Sequence, residues 1–154
     1  MIRIKKLVSI FAVAGLGVAL SACATGAKLE PAENGYNKQK VVYHVNDIEN
    51  ANSALRNVKN HLNALGDKNV EIIVVTHGGG AFTLVDGTAD SKGNTMTDAI
   101  GGLANRGVKF QICANTIRGK KIDKTKINLN AEVVPSGVAQ IAHLEQMGYF
   151  YIKP

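Results

Sequence analysis

The chain alternates between short, nearly continuous apolar runs and segments in which apolar residues recur every third or fourth position. Residues 40–46 and 69–77 are apolar and rich in β-branched residues, which is typical of strands buried on both faces of a parallel sheet. Between them, apolar spacings of three and four predict a helix over 48–65, with Asp47 as its N-cap and Gly66 at its end.

The second half of the chain continues this alternation. Residues 81–94 predict a short helix or turn and then a mobile loop, and 115–130 predict a short helical turn and then a basic loop. The remaining predicted elements are a helix at 95–107, a strand at 108–114, a short strand at 131–135, a helix from Ser136 to Gly148 and a last strand at 149–154. This pattern predicts an α/β domain whose mainly parallel, about five-stranded sheet is covered on both faces. The strand order cannot be derived from it.

The first 22 residues have the pattern of a lipoprotein signal peptide. A basic start, "MIRIKK", precedes the apolar run of 7–20, which is too short to span a membrane comfortably. The sequence Leu-Ser-Ala-Cys that ends at Cys23 resembles a lipobox. We therefore predict cleavage before Cys23, lipidation of that residue and attachment to the bilayer. An ordinary cleaved signal, or an uncleaved anchor with a chance cysteine, stays open as an alternative.

The predicted domain organisation follows from this signal. Residues 1–22 form the signal peptide, 23–38 form the lipidated cysteine and a polar tether with Gly and Pro, and 39–154 form the α/β domain. Ala24 stands where inner-membrane lipoproteins commonly carry Asp. The predicted location is therefore the periplasmic face of the cell envelope, with the outer membrane favoured.

The charge of the chain argues against a nucleic-acid partner. Removal of the signal lowers the formal net charge from +6 to +3, because Arg3, Lys5 and Lys6 are lost. The remaining excess lies in "RGKKIDKTK", residues 118–126, which is either a solvated loop or a docking surface for an acidic partner or an anion. Neither the size nor the setting of this charge is typical of nucleic-acid binding.

Polar residues lie at the carboxyl ends of three predicted strands, and ligands of such sheets bind at this edge. They are, in chain order, His44 and Asn46, then His77 with the glycines that follow it, then Cys113 and Asn115. We expect His44 to be structural. His77 is either a base for Cys113 or a structural histidine.

Cys113 is the cysteine that the signal does not explain. If Cys23 is lipidated, Cys113 has no partner in its own chain and is either buried, paired between chains or reactive. Strand alternation places it on the face opposite Phe110 and Ile112. It precedes a turn that Asn115 or Thr116 could cap, where the helix N-terminus and nearby Arg118 would favour a thiolate. A packed cysteine is the open alternative.

The glycines Gly78, Gly79 and Gly80 form either a tight turn without a ligand or a cradle for a small anion or sulfur species. They lack the spacing of a P-loop, and Thr83 stands where a third glycine of GxGxxG would lie. No metal-binding or hydrolase motif is present, so we predict neither a metal nor a cofactor.

Three stretches together resemble the DsrE/DsrF-like family: "IIVVTHGGGAFTL", "VKFQICANTI" and "AEVVPSGVAQIAHLEQMGYFYIKP". The resemblance covers about residues 40–154. It implies a three-layer α/β/α sandwich and a homotrimer or homohexamer. It also implies that Cys113 matches the cysteine that carries sulfur as a persulfide in the relay members. His77 and its glycines match the loop nearby, and Asn115 and Thr116 match the motif without an assigned role.

Two functional hypotheses result. The first is a membrane-anchored periplasmic sulfur carrier or sulfurtransferase, in which Cys113 holds a persulfide, Arg118 stabilises its thiolate, His77 shuttles a proton and a partner protein supplies or collects the sulfur. The second is a non-catalytic oligomeric binding or scaffold protein with a structural Cys113.

Overall fold

A computed structural model of the chain describes residues 35–154. The predicted signal peptide, Cys23 and most of the predicted tether lie outside the described residues. The strands are β1 (Gln39–Val45), β2 (Val70–Thr76), β3 (Lys109–Cys113), β4 (Ala131–Val134) and β5 (Phe150–Ile152). The helices are α1 (Ala51–Leu65), α2 (Thr97–Ala104), α3 (Ala114–Gly119) and α4 (Gly137–Gln146), with 3-10 helices at Ile48–Asn50, Gly78–Leu84 and Lys124–Lys126.

The five strands form one parallel sheet in the order β4-β3-β2-β1-β5. The chain starts in the sheet at β1, adds β2, β3 and β4 on one side, and returns to place β5 on the other side. The carboxyl ends of β1, β2 and β3 are therefore neighbours, because Val45 pairs with Thr76 and Thr76 pairs with Ile112.

Helices cover both faces of the sheet. On one face α1, α2 and the 3-10 helix at Gly78–Leu84 bury the larger core against residues such as Val41, Val74 and Phe110. On the other face α4 packs Ile141 and Leu144 over a second, smaller core that contains Val42, Ile73, Val75 and Tyr149. The predicted three-layer α/β/α sandwich is confirmed.

The helix boundaries follow the predicted caps. Ser136 caps α4 through the amide of Ala139. The side chain of Asp47 accepts a hydrogen bond from the amide of Glu49 at 3.1 Å, but it caps the 3-10 helix at Ile48–Asn50, and α1 itself begins only at Ala51. Gly66 ends α1 with a φ of 81°, in the left-handed region that favours glycine. The predicted helix at 95–107 is shorter in the structure, as α2, which keeps both interior glycines and is followed by Gly107 in the left-handed region with a φ of 90°.

The loop predicted as mobile after the 3-10 helix at Gly78–Leu84 is organised around a buried Asp90. This carboxylate accepts hydrogen bonds from the amides of Lys92 and Asn94 and from the side chains of Asn94 and Asn52. The loop is thereby fastened to α1, on the side of the sheet away from α4.

Candidate functional site

The carboxyl edge of the sheet brings together side chains from three strands on the face covered by α4. His44 lies in β1, His77 directly follows β2, and Cys113 is the last residue of β3. Strand alternation places all three on the face that carries Val42 and Val75. We call the group of His44, His77, Cys113, Gly137 and Tyr151 the Cys113 site.

Cys113 is buried, with 5% of its surface exposed, and its thiol is free. It ends β3 and directly precedes α3, so its sulfur faces the first amides of that helix. Burial raises the pKa of the thiol, but hydrogen bonds from the amides of Gly137, Thr116 and Asn115 and from the Thr116 hydroxyl outweigh burial and hold the pKa below its ordinary value. The thiolate is therefore favoured by donors from the first turns of both α3 and α4.

Gly137, the first residue of α4, allows this helix to approach the site. A Cβ atom at this position would lie 3.0 Å from the Cβ of His77 and 3.3 Å from the Cβ of Cys113. The two side chains thus flank one glycine, and their Cβ atoms are no further apart than those two distances together. The sequence analysis did not identify Gly137, although the "PSG" at the predicted helix start was the available signal.

His44 and His77 form a direct pair. Their Nε2 atoms are 2.6 Å apart, and the ring centroids are 4.5 Å apart. The Nδ1 of His44 is hydrogen-bonded to the Tyr151 hydroxyl at 2.7 Å. The structure thus places His44, which was expected to be structural, in contact with His77, because the two residues follow neighbouring strands on the same face.

Both histidines are held in the neutral form near neutral pH. Burial lowers the pKa of His44 to about 4, with further contributions from His77 and Lys153. Burial and then the charge of Lys153 also lower the pKa of His77. A hydrogen bond between two neutral imidazoles requires that one Nε2 donates and the other accepts. Tyr151 and Lys153, like Gly137, were not singled out from the sequence.

The glycine loop packs tightly against the end of β1. A Cβ on Gly80 would lie 2.2 Å from the carbonyl oxygen of Val45, so a side chain there has no space. The amide of Gly78 donates to the Thr116 hydroxyl at 3.1 Å, and the amide of Gly80 donates to the carbonyl of His77 at 3.1 Å. Two glycine amides are therefore engaged within the protein, and Gly79 lies against the backbone of Asn46 and Asp47. Anion binding by this loop stays a prediction.

The other three predicted site residues lie on α3. Arg118 is exposed and donates to the side-chain oxygen of Asn115. Asn115 contributes its amide to the sulfur of Cys113, and Thr116 contributes both its amide and its hydroxyl. Arg118 thus contacts the site through Asn115, and its predicted effect on the thiolate stays a prediction.

Within residues 35–154, no group of three or more His, Cys, Asp or Glu side chains is arranged to hold a metal ion. The helices of this part of the chain are too short or too polar to cross a membrane.

Comparisons with known proteins agree with this architecture. The family model described as the DsrE/DsrF-like family matches residues 14–154. The structure of MTH1491, a protein of unknown function from Methanobacterium thermoautotrophicum, is 27% identical with a TM-score of 0.67, and the match covers 75% of this chain and 99% of that one. The ychN protein from E. coli is 13% identical with a TM-score of 0.63 and the same coverage, and this likeness shows the fold alone. None of the curated proteins compared with the chain matches it.

The family model covers the whole described domain, including the three stretches on which the resemblance was based. This membership supports a sulfur-relay-related role at the level of the family. The chain belongs to the DsrE/DsrF-like family.

Proposed function

We propose that this protein is a sulfur carrier or sulfurtransferase that holds sulfur as a persulfide on Cys113. The observation that carries the proposal is the position of Cys113, which ends β3 at the first turns of two helices, where neighbouring amides hold the pKa of its thiol below the ordinary value. Such donors stabilise a thiolate both as an attacking group and as a leaving group. A sulfur carrier needs Cys113 in both roles.

The reaction consists of two thiolate exchanges without net oxidation. In the first, the Cys113 thiolate attacks the outer sulfur of a sulfane donor such as polysulfide or thiosulfate. A new sulfur–sulfur bond forms, the bond in the donor breaks, and the remainder leaves with the electron pair as a shorter polysulfide or as sulfite. In the second, a thiolate of an acceptor protein attacks the outer sulfur of the persulfide, and Cys113 leaves as the thiolate.

The burial of Cys113 supports a second candidate, a non-catalytic oligomeric binding or scaffold protein. Only 5% of the residue is exposed, and cysteine is among the residue types most often buried for packing alone. In this case the crevice at the carboxyl edge would bind a small anion or a partner protein, and the thiol would be inert.

Mass spectrometry of one peptide distinguishes the two candidates. Trypsin releases residues 110–118 as "FQICANTIR", in which Cys113 is the single cysteine. After incubation of the full-length protein with polysulfide or thiosulfate, a sulfur carrier gains about 32 Da on this peptide, and dithiothreitol removes the gain. Cys113→Ala is the control. Absence of the adduct with every donor, together with resistance to iodoacetamide in the folded protein, would support the scaffold function.

The proposal places this activity at the periplasmic face of the envelope, attached through lipid on Cys23, with an acidic donor or acceptor protein steered by the basic residues of 118–126. Cys23→Ser should abolish labelling by a clickable fatty acid and move the protein out of the membrane fraction. If labelling persists, the lipid anchor is not at Cys23. Light scattering of the purified protein tests the expected homotrimer or homohexamer.

A further inference from the structure

We propose that Tyr151, His44 and His77 form a proton relay that connects the Cys113 site with solvent during sulfur transfer. The inference rests on the proposed function and assigns to it two residues outside the predicted chemistry, His44 and Tyr151. The observation behind it is a series of two short hydrogen bonds that starts beside Cys113 and ends at the hydroxyl of Tyr151, an exposed residue.

Two hydrogen bonds join the three side chains of the relay, and the His77 end of the relay lies beside Cys113. His77 flanks Gly137 together with Cys113, and its Nε2 lies 2.6 Å from the Nε2 of His44. The Nδ1 of His44 lies 2.7 Å from the oxygen of Tyr151, a residue that is 42% exposed. Both distances are those of short hydrogen bonds. Protons can therefore pass from His77 to the exposed Tyr151 without movement of the backbone.

Because each neutral imidazole can carry its proton on either ring nitrogen, the hydrogen bonds of the relay can point in either of two directions, which we call its two polarities. In the first, the Nε2 of His77 donates to His44, the Nδ1 of His44 donates to Tyr151, and the Nδ1 of His77 is free to accept a proton. In the second, Tyr151 donates to His44, His44 donates to His77, and the Nδ1 of His77 carries a proton that it can donate. Because its Nε2 is engaged with His44, Nδ1 is the ring nitrogen of His77 left for exchange within the crevice.

Each sulfur transfer moves one proton outward and one proton inward along the relay. Formation of the Cys113 thiolate from the thiol releases one proton, which enters at His77 and leaves to water from Tyr151, and this passage reverses the polarity. The polysulfide or sulfite anion that leaves from the donor then takes a proton from His77, and water replaces this proton through Tyr151, which restores the first polarity. No proton is gained or lost overall, and the donor remainder departs with one added proton.

A relay of this kind never stores a full positive charge on either ring. This agrees with the surroundings of the pair, since burial and the positive charge of Lys153 disfavour an imidazolium. The titratable or charged groups around the pair are Cys113 from β3, Tyr151 from β5 and Lys153 from the segment after it.

His61 makes similar hydrogen bonds through both ring nitrogens but does not belong to the proposed relay. Its Nδ1 is bonded to the Tyr43 hydroxyl at 3.1 Å, and its Nε2 is bonded to the side-chain oxygen of Gln39 at 2.7 Å. This chain ends at an amide, which does not titrate, and it lies on the opposite face of the sheet from His44. His61 is therefore the matched control for His44. Tyr149, whose hydroxyl bonds to Glu71, is the matched control for Tyr151.

The test measures how fast the full-length protein forms the persulfide with inorganic polysulfide, at low and at high imidazole concentration. We expect His44→Gln and Tyr151→Phe to slow formation about a hundredfold at low imidazole, at the lower end of the range for general acid–base catalysis. Imidazole should restore the rate, because it supplies the proton that the broken relay no longer delivers. Alkylation by iodoacetamide, which reports the equilibrium fraction of thiolate, should be unchanged. His61→Gln and Tyr149→Phe should react like the unaltered protein.

The relay is refuted if His44→Gln and Tyr151→Phe form the persulfide at the rate of the two controls. It is also refuted if they are slow, lose alkylation in parallel and do not respond to imidazole, because His44 and Tyr151 then support the fold. If the unaltered protein forms no persulfide, the proposed function fails and the relay fails with it. If it forms the persulfide and only the response to imidazole is missing, the relay alone fails.

Discussion

Replacement of Gly137 by alanine tests whether the close approach of α4 makes Cys113 reactive. The new methyl group would lie 3.0 Å from the Cβ of His77 and 3.3 Å from the Cβ of Cys113, whereas carbon atoms pack best at about 3.5–4.0 Å. Neither neighbour can rotate a Cβ atom away, because Cβ is fixed by the backbone. The start of α4 must therefore move outward by a few tenths of an ångström.

The substitution changes both the free energy of unfolding and the hydrogen bonding at Cys113. Alanine is intrinsically better than glycine in a helix by up to about 1 kcal/mol, whereas overpacking costs about 1–3 kcal/mol. We expect a net loss of about 1 kcal/mol in the free energy of unfolding. The shift also lengthens the hydrogen bond from the Gly137 amide to the sulfur of Cys113. A bond to a charged group contributes about 1.5–3 kcal/mol, so weakening it by about 1 kcal/mol lowers the thiolate fraction about fivefold below the thiol pKa.

The assay is the pH dependence of iodoacetamide alkylation, followed on the peptide of residues 110–118, together with urea unfolding. Gly102→Ala in α2 is the matched control, because a Cβ there meets nothing within 4 Å. The control should gain up to about 1 kcal/mol of stability and leave the alkylation profile unchanged. If Gly137→Ala alkylates with the unaltered profile, the amide of Gly137 does not set the reactivity of Cys113 and the argument is wrong.

Gly80→Ala should cost about 3 kcal/mol or more, because its Cβ would lie 2.2 Å from the rigid carbonyl of Val45, and a urea midpoint close to that of the unaltered protein would contradict this. Thr116→Val removes a hydroxyl that accepts from the amide of Gly78 and helps to lower the pKa of the Cys113 thiol, so both the urea midpoint and the alkylation rate at neutral pH should fall. The folded protein lowers the pKa of His44 from 6.5 to about 4, so protons bind the unfolded chain more tightly and the free energy of unfolding should fall as the pH drops through this range. Urea titrations should show a shallower fall for His44→Gln, and an equal slope would mean that His44 does not contribute.

The fold was largely predictable because its signals are local. Apolar periodicity identified the strands and helices, and caps such as Asp47, Gly66 and Ser136 identified where the helices begin and end. The order of the strands was not predictable, because β5 returns to pair with β1 through contacts between residues far apart in the chain. The signal peptide and the lipid site at Cys23 stay predictions.

The site was predictable only for residues whose own position in the sequence indicates a role. Cys113 and His77 follow from strand ends and from the rule that ligands bind at the carboxyl edge. Tyr151 could not be connected with His44, because that requires knowing that β5 lies beside β1. Gly137 could not be placed either, since its role depends on how closely α4 approaches two other elements.

The packing of α3 and α4 around Cys113 causes both the burial of this residue and the lowered pKa of its thiol. A thiolate with 5% exposure would be strongly disfavoured in an apolar pocket, because burial alone raises its pKa. Here the donors are backbone amides at the starts of α3 and α4, which the fold holds in place and which therefore need no rearrangement when charge develops on the sulfur. The same packing that removes water from the thiol brings those amides to it, since α4 reaches the sulfur only because residue 137 has no side chain. The close packing of the starts of α3 and α4 is thus the means by which this site favours a thiolate in spite of its burial.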